Sequence, residues 1–465
     1  MRKVSILAGE TSEFRRPSKG NIKNKNSKYN YDVDNSTTNT HKNIIQIALE
    51  PTIKLLKNTG FPRNLIDAVI FSSCDPSQYL SSIIAEILGI RPKISHRLDN
   101  LCNSGTNAII SAFSYISAGL CDSALVIGAE MADSPGKILQ SDFSRGQFAL
   151  PVYWGAIFKK MHMKKYGTKE EQICMIPVNN YSKARNNSNA INKGKEITLT
   201  EVMNSKMVVE PLRLLECCSI CEGASSILLV ADEKIPFFTS KLFSNDNLQG
   251  TENSFFGGNS FHNSNKIREN IVAKKTLIPV SIRGIGQQTT SASFSNAVEE
   301  NFRSSPAKIA AQNAYDMAKL TPNHIDVVEL HDAFSILEIM AYEDLGFAAK
   351  GQGGKFIEKQ ESNMYVNPSG GIIGCGHALG ATGIAQTVEI FKQLSGKIDD
   401  DIDLSYNNRI HIHETDFRDN SYAYNTPKVK RQNNISRQIR SYIKFGLIHN
   451  LAAAGTSASV LILEK

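Results

Sequence analysis

One cysteine and two histidines stand where reactive side chains are useful. Cys102 lies in Leu98-Asp99-Asn100-Leu101-Cys102-Asn103-Ser104-Gly105-Thr106, where a tight turn feeds a nearly all-apolar helix. The unpaired N–H groups and positive dipole end of a helix start favour thiolate over thiol, so a reactive Cys102 is expected. The other reading of the same position is a buried helix-cap cysteine. His331, in Glu329-Leu330-His331-Asp332-Ala333-Phe334, follows a strand and so points into the crevice where α/β folds put ligands. His377 sits in Gly374-Cys375-Gly376-His377-Ala378-Leu379-Gly380, a glycine-rich turn that opens a helix and lets the backbone approach a ligand. A helix-start thiol with two imidazoles is what acyl transfer through a thioester requires. The thiolate attacks, and the imidazoles manage protons and hold the oxyanion.

The elements that would carry these residues alternate between helix and strand. Residues 44–56 are amphipathic, 66–71 read as a buried strand, 104–118 as a core helix, and 123–129 and 224–230 as strands. Such alternation predicts an α/β fold. The second half repeats the order. Residues 309–330 run helix, turn, then strand, 380–394 form a second long helix, and 459–463 a closing strand. Two like halves facing each other would bring corresponding loops to one shared site. The expected division is residues 1–235 and 276–465, with 134–220 as a loop domain of the first half. Segments 14–42, 236–275 and 397–434, rich in Asn, Ser, Lys and Asp, read as inserted surface loops.

Composition narrows the function. With 41% apolar and 21% charged residues in 465, the chain is of globular type. The net charge is +7, yet residues 15–28 and 428–444 hold 12 basic residues and no acid, leaving the remainder at −5. That distribution argues against a nucleic-acid-binding face. No apolar run is long enough to span a membrane, and neither terminus carries a recognisable targeting signal, so cytoplasm is expected. Eight irregularly spaced cysteines do not form a disulfide framework, and Cys217-Cys218-Ser219-Ile220-Cys221 lacks the matching half of a zinc site, so no metal is expected.

Leu98–Gly105, Glu329–Phe334, Asn367–Gly383 and Gly446-Leu447-Ile448-His449-Asn450 together resemble the four signature blocks of thiolases. The branch resembled is the sterol-carrier-protein-type and archaeal one, which has His-Asp-x-Phe where others have Asn-Glu-x-Phe. The resemblance runs from about residue 4 to 464. It implies the thiolase fold, two βαβαβαββ halves forming a five-layer αβαβα core, assembled as a homodimer or tetramer. The implied reaction is reversible Claisen condensation of acetyl-CoA, or thiolysis of 3-ketoacyl-CoA, through acyl-Cys102. His377 and His331 would polarise the thioester oxygen, and the turn containing Ala454 and Gly455 would join the Cys102 N–H in an oxyanion hole. No permanently bound cofactor is implied, only coenzyme A thioesters as substrates. Implied partners are a small zinc-ribbon/OB-fold protein and hydroxymethylglutaryl-CoA synthase.

This chain departs from the pattern in one chemically important way. Thiolases generally use a second cysteine as the acid/base at the α-carbon, in the His-Asp-Cys-Phe block of the branch resembled and in the C-terminal turn of other branches. Here those places hold Ala333 and Leu451-Ala452-Ala453-Ala454-Gly455. A lost acid/base costs about 10²–10⁴ in rate, and Cys375 is the nearest spare thiol in sequence. The turn's usual glycines are Ala452 and Ala454, strained if either needs φ > 0. Alternatives on the same fold are a hydroxymethylglutaryl-CoA or ketoacyl synthase-like enzyme and a catalytically impaired acyl-CoA-binding scaffold.

Overall fold

The strands that alternate their side chains between two cores define the architecture. In the computed structural model, which describes residues 1–16, 42–132, 150–243, 278–303, 305–359, 364–396, 443–453 and 455–465, the first half runs β1 (Val4–Thr11), α1 (Ile44–Thr59), β2 (Ala68–Ser72), α2 (Leu80–Ile87), β3 (Ile94–Leu98), α3 (Ser104–Ser117) and β4 (Ser123–Glu130). An excursion follows through α4 (Val152–Tyr166), α5 (Glu170–Ala184), α6 (Leu199–Met203) and the hairpin β5 (Met207–Val209) and β6 (Leu212–Arg213). The half closes with β7 (Gly223–Ala231), and α7 (Ile235–Phe243) comes after it. The second half runs β8 (Val280–Thr289), α8 (Phe294–Arg303), α9 (Pro306–Ala318), β9 (Val327–Glu329), α10 (Ser335–Asp344), α11 (Gly353–Lys359) and β10 (Tyr365–Val366). It ends with α12 (Gly371–Cys375), α13 (Leu379–Ser395), β11 (Phe445–Ala452) and β12 (Ser457–Glu464).

Each half is thus a βαβαβαββ unit. Strand order is β1-β7-β4-β2-β3 in the first and β8-β12-β11-β9-β10 in the second. The two orders correspond strand for strand. An antiparallel pairing, Ser5 with Ser281 and Ile6 with Val280, joins the halves into one ten-stranded sheet, a link the sequence pattern did not announce.

Strand alternation sorts the apolar residues into layers. Val69, Phe71, Leu125 and Ile127 pack outward with α1 and α2, while Ala68, Ile70 and Val126 pack inward. In the second half Val328, Leu447 and Ile462 pack outward with α9 and α10, while Val327, Ile448 and Leu461 pack inward. The inward sets from both halves share one core with Ile109, Ile116, Ile384 and Val388 of α3 and α13. Helix, sheet, helix pair, sheet, helix is the five-layer thiolase arrangement. α3 and α13 form its middle layer.

Those two helices cross with backbones nearly touching. A Cβ added at Gly383 would lie 2.7 Å from the backbone N of Thr106, and one at Gly105 would lie 3.0 Å from that of Ile384. Only glycine permits this approach. It also draws the two helix starts together.

Two segment boundaries differ from expectation. Phe14 is buried and Arg15 bridges to Glu222, so the first insertion begins later than residue 14. The segment from 236 opens as helix α7, because Phe238 finds an aromatic partner in Phe61 at 4.9 Å between ring centroids. Residues 397–434, and Ala454, lie outside the described residues.

Candidate active site

β3 ends at Leu98 and the chain turns into α3 through Leu101, whose φ of 50° is left-handed. Asp99 pays for part of that turn by accepting the Leu101 N–H at 3.0 Å. Ser104 Oγ accepts the Asn100 N–H at 2.7 Å and donates to the Leu101 carbonyl at 2.6 Å. The turn is also held from the other half. Asn103 and Asn107 each donate to Ser459 Oγ of β12 at 2.9 Å. Cys102 therefore stands at the seam.

In the second half, His331 follows β9 and His377 precedes α13, beyond Gly376 with φ 101°. The Asp332 carboxylate accepts the Ile372 N–H at 2.6 Å and the Asn180 amide at 2.8 Å, tying the His331 loop to α12 and α5. From the first half, Glu130 at the end of β4 accepts the Gly380 N–H at 3.0 Å and the Cys74 N–H at 2.9 Å. The Cys102 Sγ and a nitrogen of each imidazole consequently lie within 4.8 Å of one another. The rings are 5.5 Å apart and edge-to-face.

Hydrogen bonds assign the proton on each ring. Thr382 Oγ1 donates to the Ala378 carbonyl at 3.0 Å, so at its 2.9 Å contact with His377 Nδ1 it must accept. Nε2 of His377 is then a bare acceptor, buried and without a partner among the described residues. For His331, Asn450 gives its amide hydrogen to Gln386 Oε1 at 2.9 Å and turns Oδ1 toward His331 Nδ1 at 3.3 Å. That ring too carries its proton on Nδ1. Asn450 and Thr382 both lie inside the sequence motifs, but which ring atom a partner touches is not a property of spacing.

Electrostatics overturn one expectation. Burial pushes the Cys102 thiol up to about 12, opposed by backbone N–H groups of Cys102 and Ala453. Desolvation outweighs the helix-start effect, so the resting sulfur is a thiol. Burial likewise depresses His331 to about 4 and holds His377 well below its usual range, the second ring lowering His377 further. The resting state is a neutral thiol beside neutral imidazoles, with no thiolate–imidazolium pair.

In the turn after β11, residues 452–455, Ala454 is outside the described residues. Ala452 is ordinary strand, and the left-handed residue is Ala453, with φ 53°. Among the described residues of this turn, it is the Ala453 N–H that reaches the Cys102 sulfur, beside that of Cys102 itself. Gly455, with φ 74°, is held instead at its carbonyl by Asn301 at 3.5 Å. Cys375 is not in the cluster. Its thiol donates to the Ser369 carbonyl at 3.0 Å and accepts from Asn187 at 3.4 Å. The short helix α12 turns it away from His377.

Cys102, His331 and His377 are also donors of the kind zinc accepts, and among the described residues no other group of three such side chains converges. A family model described as Thiolase C-terminal domain-like matches residues 286–406. An acetyl-CoA acetyltransferase of Methanothermobacter thermautotrophicus is 34% identical over 69% of this chain and 76% of its own length. The chain belongs to the thiolase family. Sterol carrier protein 2 of Bos taurus is 31% identical over 64% of this thiolase chain, spanning 53% of that longer protein. Among solved structures, the Ltp2-ChsH2(DUF35) aldolase superposes with a TM-score of 0.68 at 18% identity, over 99% of this chain and 97% of that one. Human mitochondrial 3-ketoacyl-CoA thiolase in complex with CoA superposes at 0.61 and 14% identity, over 100% and 98%. The fold is that of thiolases. Among the described residues, no helix is long and apolar enough to cross a membrane.

Proposed function

We propose that this thiolase is an acetyl-CoA C-acetyltransferase that condenses two acetyl-CoA to acetoacetyl-CoA and CoA, and cleaves 3-ketoacyl-CoA in reverse. The observation that carries the reading is the Cys102 sulfur beside two imidazoles whose protons sit on Nδ1, with nitrogens within 4.8 Å. As the sulfur attacks a thioester carbonyl, His377 Nε2 takes the thiol proton. The oxygen that gains charge meets the N–H groups of Cys102 and Ala453. CoA leaves and Cys102 carries the acetyl group. The proton now on Nε2 makes the imidazole a donor to the enolate oxygen of the second acetyl-CoA, with His331 as the neighbouring ring.

CoA itself is a substrate, and no resident cofactor enters the reaction. The segment α4–β6 packs on the second half, with Trp154, Phe158 and Ile176 in its outer core, and is our candidate for contacting the CoA moiety. A second copy of the chain is the expected oligomeric partner. A small zinc-ribbon/OB-fold partner is a further proposal, supported by the likeness to the Ltp2-ChsH2(DUF35) aldolase, and hydroxymethylglutaryl-CoA synthase is a third. Cytoplasm is the proposed compartment.

Intact-mass and peptide spectrometry after mixing with acetyl-CoA tests the reading. An acetyl group on Cys102, with release of CoA and formation of acetoacetyl-CoA, is expected. CoA thioester bound without any adduct would leave an acyl-CoA-binding scaffold.

A further inference from the structure

Condensation needs a group to take the α-proton of the second acetyl-CoA, and Ala333 has no side chain for it. The strip 217–221 crosses the site between the two histidine loops. Cys217 pairs antiparallel with Phe334, and the Cys218 N–H donates to the Ala333 carbonyl at 2.9 Å. On the other side His377 N–H donates to the Ser219 carbonyl at 2.8 Å, and Cys221 N–H to the His377 carbonyl at 3.2 Å. Pairing of 217 with 334 places Cys218 directly across from Ala333, and residues opposite each other in an antiparallel pair project from the same face. A thiol at 218 thus stands on the neighbouring strand from a thiol at 333.

We propose that Cys218 is the acid/base at the α-carbon, supplying across the strand pair the thiol that position 333 lacks. The inference rests on the acyl-Cys102 reading. In the first half-reaction the Cys102 proton goes to His377, and the C–S bond of acetyl-CoA breaks as Cys102 S–C forms. The departing CoA sulfur takes the Cys218 proton and leaves as the thiol. Cys218, now thiolate, accepts the α-proton of the second acetyl-CoA. The enolate carbon attacks acyl-Cys102, and the released Cys102 thiolate recovers its proton from His377. Every proton is returned and no oxidant is needed.

Three other thiols are engaged elsewhere. Cys375 donates to the Ser369 carbonyl. Cys74 donates to Asp99 at 3.5 Å, on the first-half wall. Cys217 donates to the Arg213 carbonyl at 3.4 Å. Ionisation of Cys218 is opposed by burial and then by the charges of Cys217, Cys102, Asp332 and Cys221.

The test compares Cys218→Ala, Cys74→Ala and the double variant Cys218→Ala/Ala333→Cys with the unaltered enzyme. Three quantities are read: acetylation of Cys102 by mass, deuterium uptake into the acetyl-CoA methyl group in D2O, and acetoacetyl-CoA formation. Cys218→Ala is expected to still acetylate, more slowly, while exchange and condensation fall by about 10²–10⁴. Cys74→Ala keeps both, and Ala333→Cys in the double variant restores at least part of both. Unchanged exchange in Cys218→Ala overturns the proposal, as does loss of exchange in Cys74→Ala alone. Loss of acetylation in Cys218→Ala without recovery in the double variant also overturns it, making residue 218 structural. Absence of acetyl-Cys102 in the unaltered enzyme sinks the acyltransferase reading itself.

Discussion

At the start of α3 the first half carries Cys102, and at the start of α13 the second half carries His377, each entered through a left-handed residue, Leu101 in one and Gly376 in the other. Two residues beyond β2 the first half has Cys74, and two beyond β9 the second has His331. The same architectural places therefore hold sulfur in one half and imidazole in the other. Duplication supplies two helix starts that meet at the middle layer. Their chemistry diverges because a nucleophile and its base must differ, while the scaffold that presents them need not.

The sharpest way to break this comparison is to remove the second half's contribution. His377→Asn keeps the bulk and a hydrogen-bonding group at the helix start and deletes the base, so turnover should fall by about 10²–10⁴ while the fold persists. Turnover within a factor of two of the unaltered enzyme would mean that His331 alone serves the thiol. Next comes the protonation of the first half's contribution. With the Cys102 thiol held up at about 12, its alkylation by iodoacetamide should rise roughly tenfold per pH unit from neutrality upward. A rate already level at pH 7 would reveal a thiolate, and the helix start would then have outweighed burial.

Gly383→Ala probes the contact between the halves. Its Cβ would meet Thr106 Oγ1 at 2.3 Å, and overpacking of this sort costs about 1–3 kcal/mol. Denaturant unfolding measures it, and a neutral result would mean the helices have slack. The smallest expected effect is a gain. Ala453→Gly relieves a left-handed alanine and should stabilise by about 1 kcal/mol, read from the same unfolding curves. Destabilisation there would show that the alanine methyl packs to advantage.

The reacting trio was legible because each member lies within a few residues of a strand end or helix start, where composition, glycine and turn residues mark the place. Its protonation was not. The helix-start argument for a Cys102 thiolate is local, whereas the burial that defeats it is assembled from both halves. Cys375 attracted attention by being two residues from His377, yet α12 turns its thiol onto the Ser369 carbonyl. Cys218 lies 115 residues before Ala333 in the chain and reaches it only through strand pairing, with no periodicity to announce it. Similarly, α7 was hidden in a polar segment because Phe238 finds its partner in distant Phe61.

The near-contact of Gly105 and Gly383 has a bearing on how such a chain drifts. Main chain resting largely on main chain, with the Thr106 hydroxyl beside it, is a gauge whose setting passes through few residue identities. Sequences can diverge almost everywhere around the middle helices and still return the sulfur and the imidazole to the same spacing. Only a mutation that gives either glycine a side chain resets the gauge, and it does so for both halves at once.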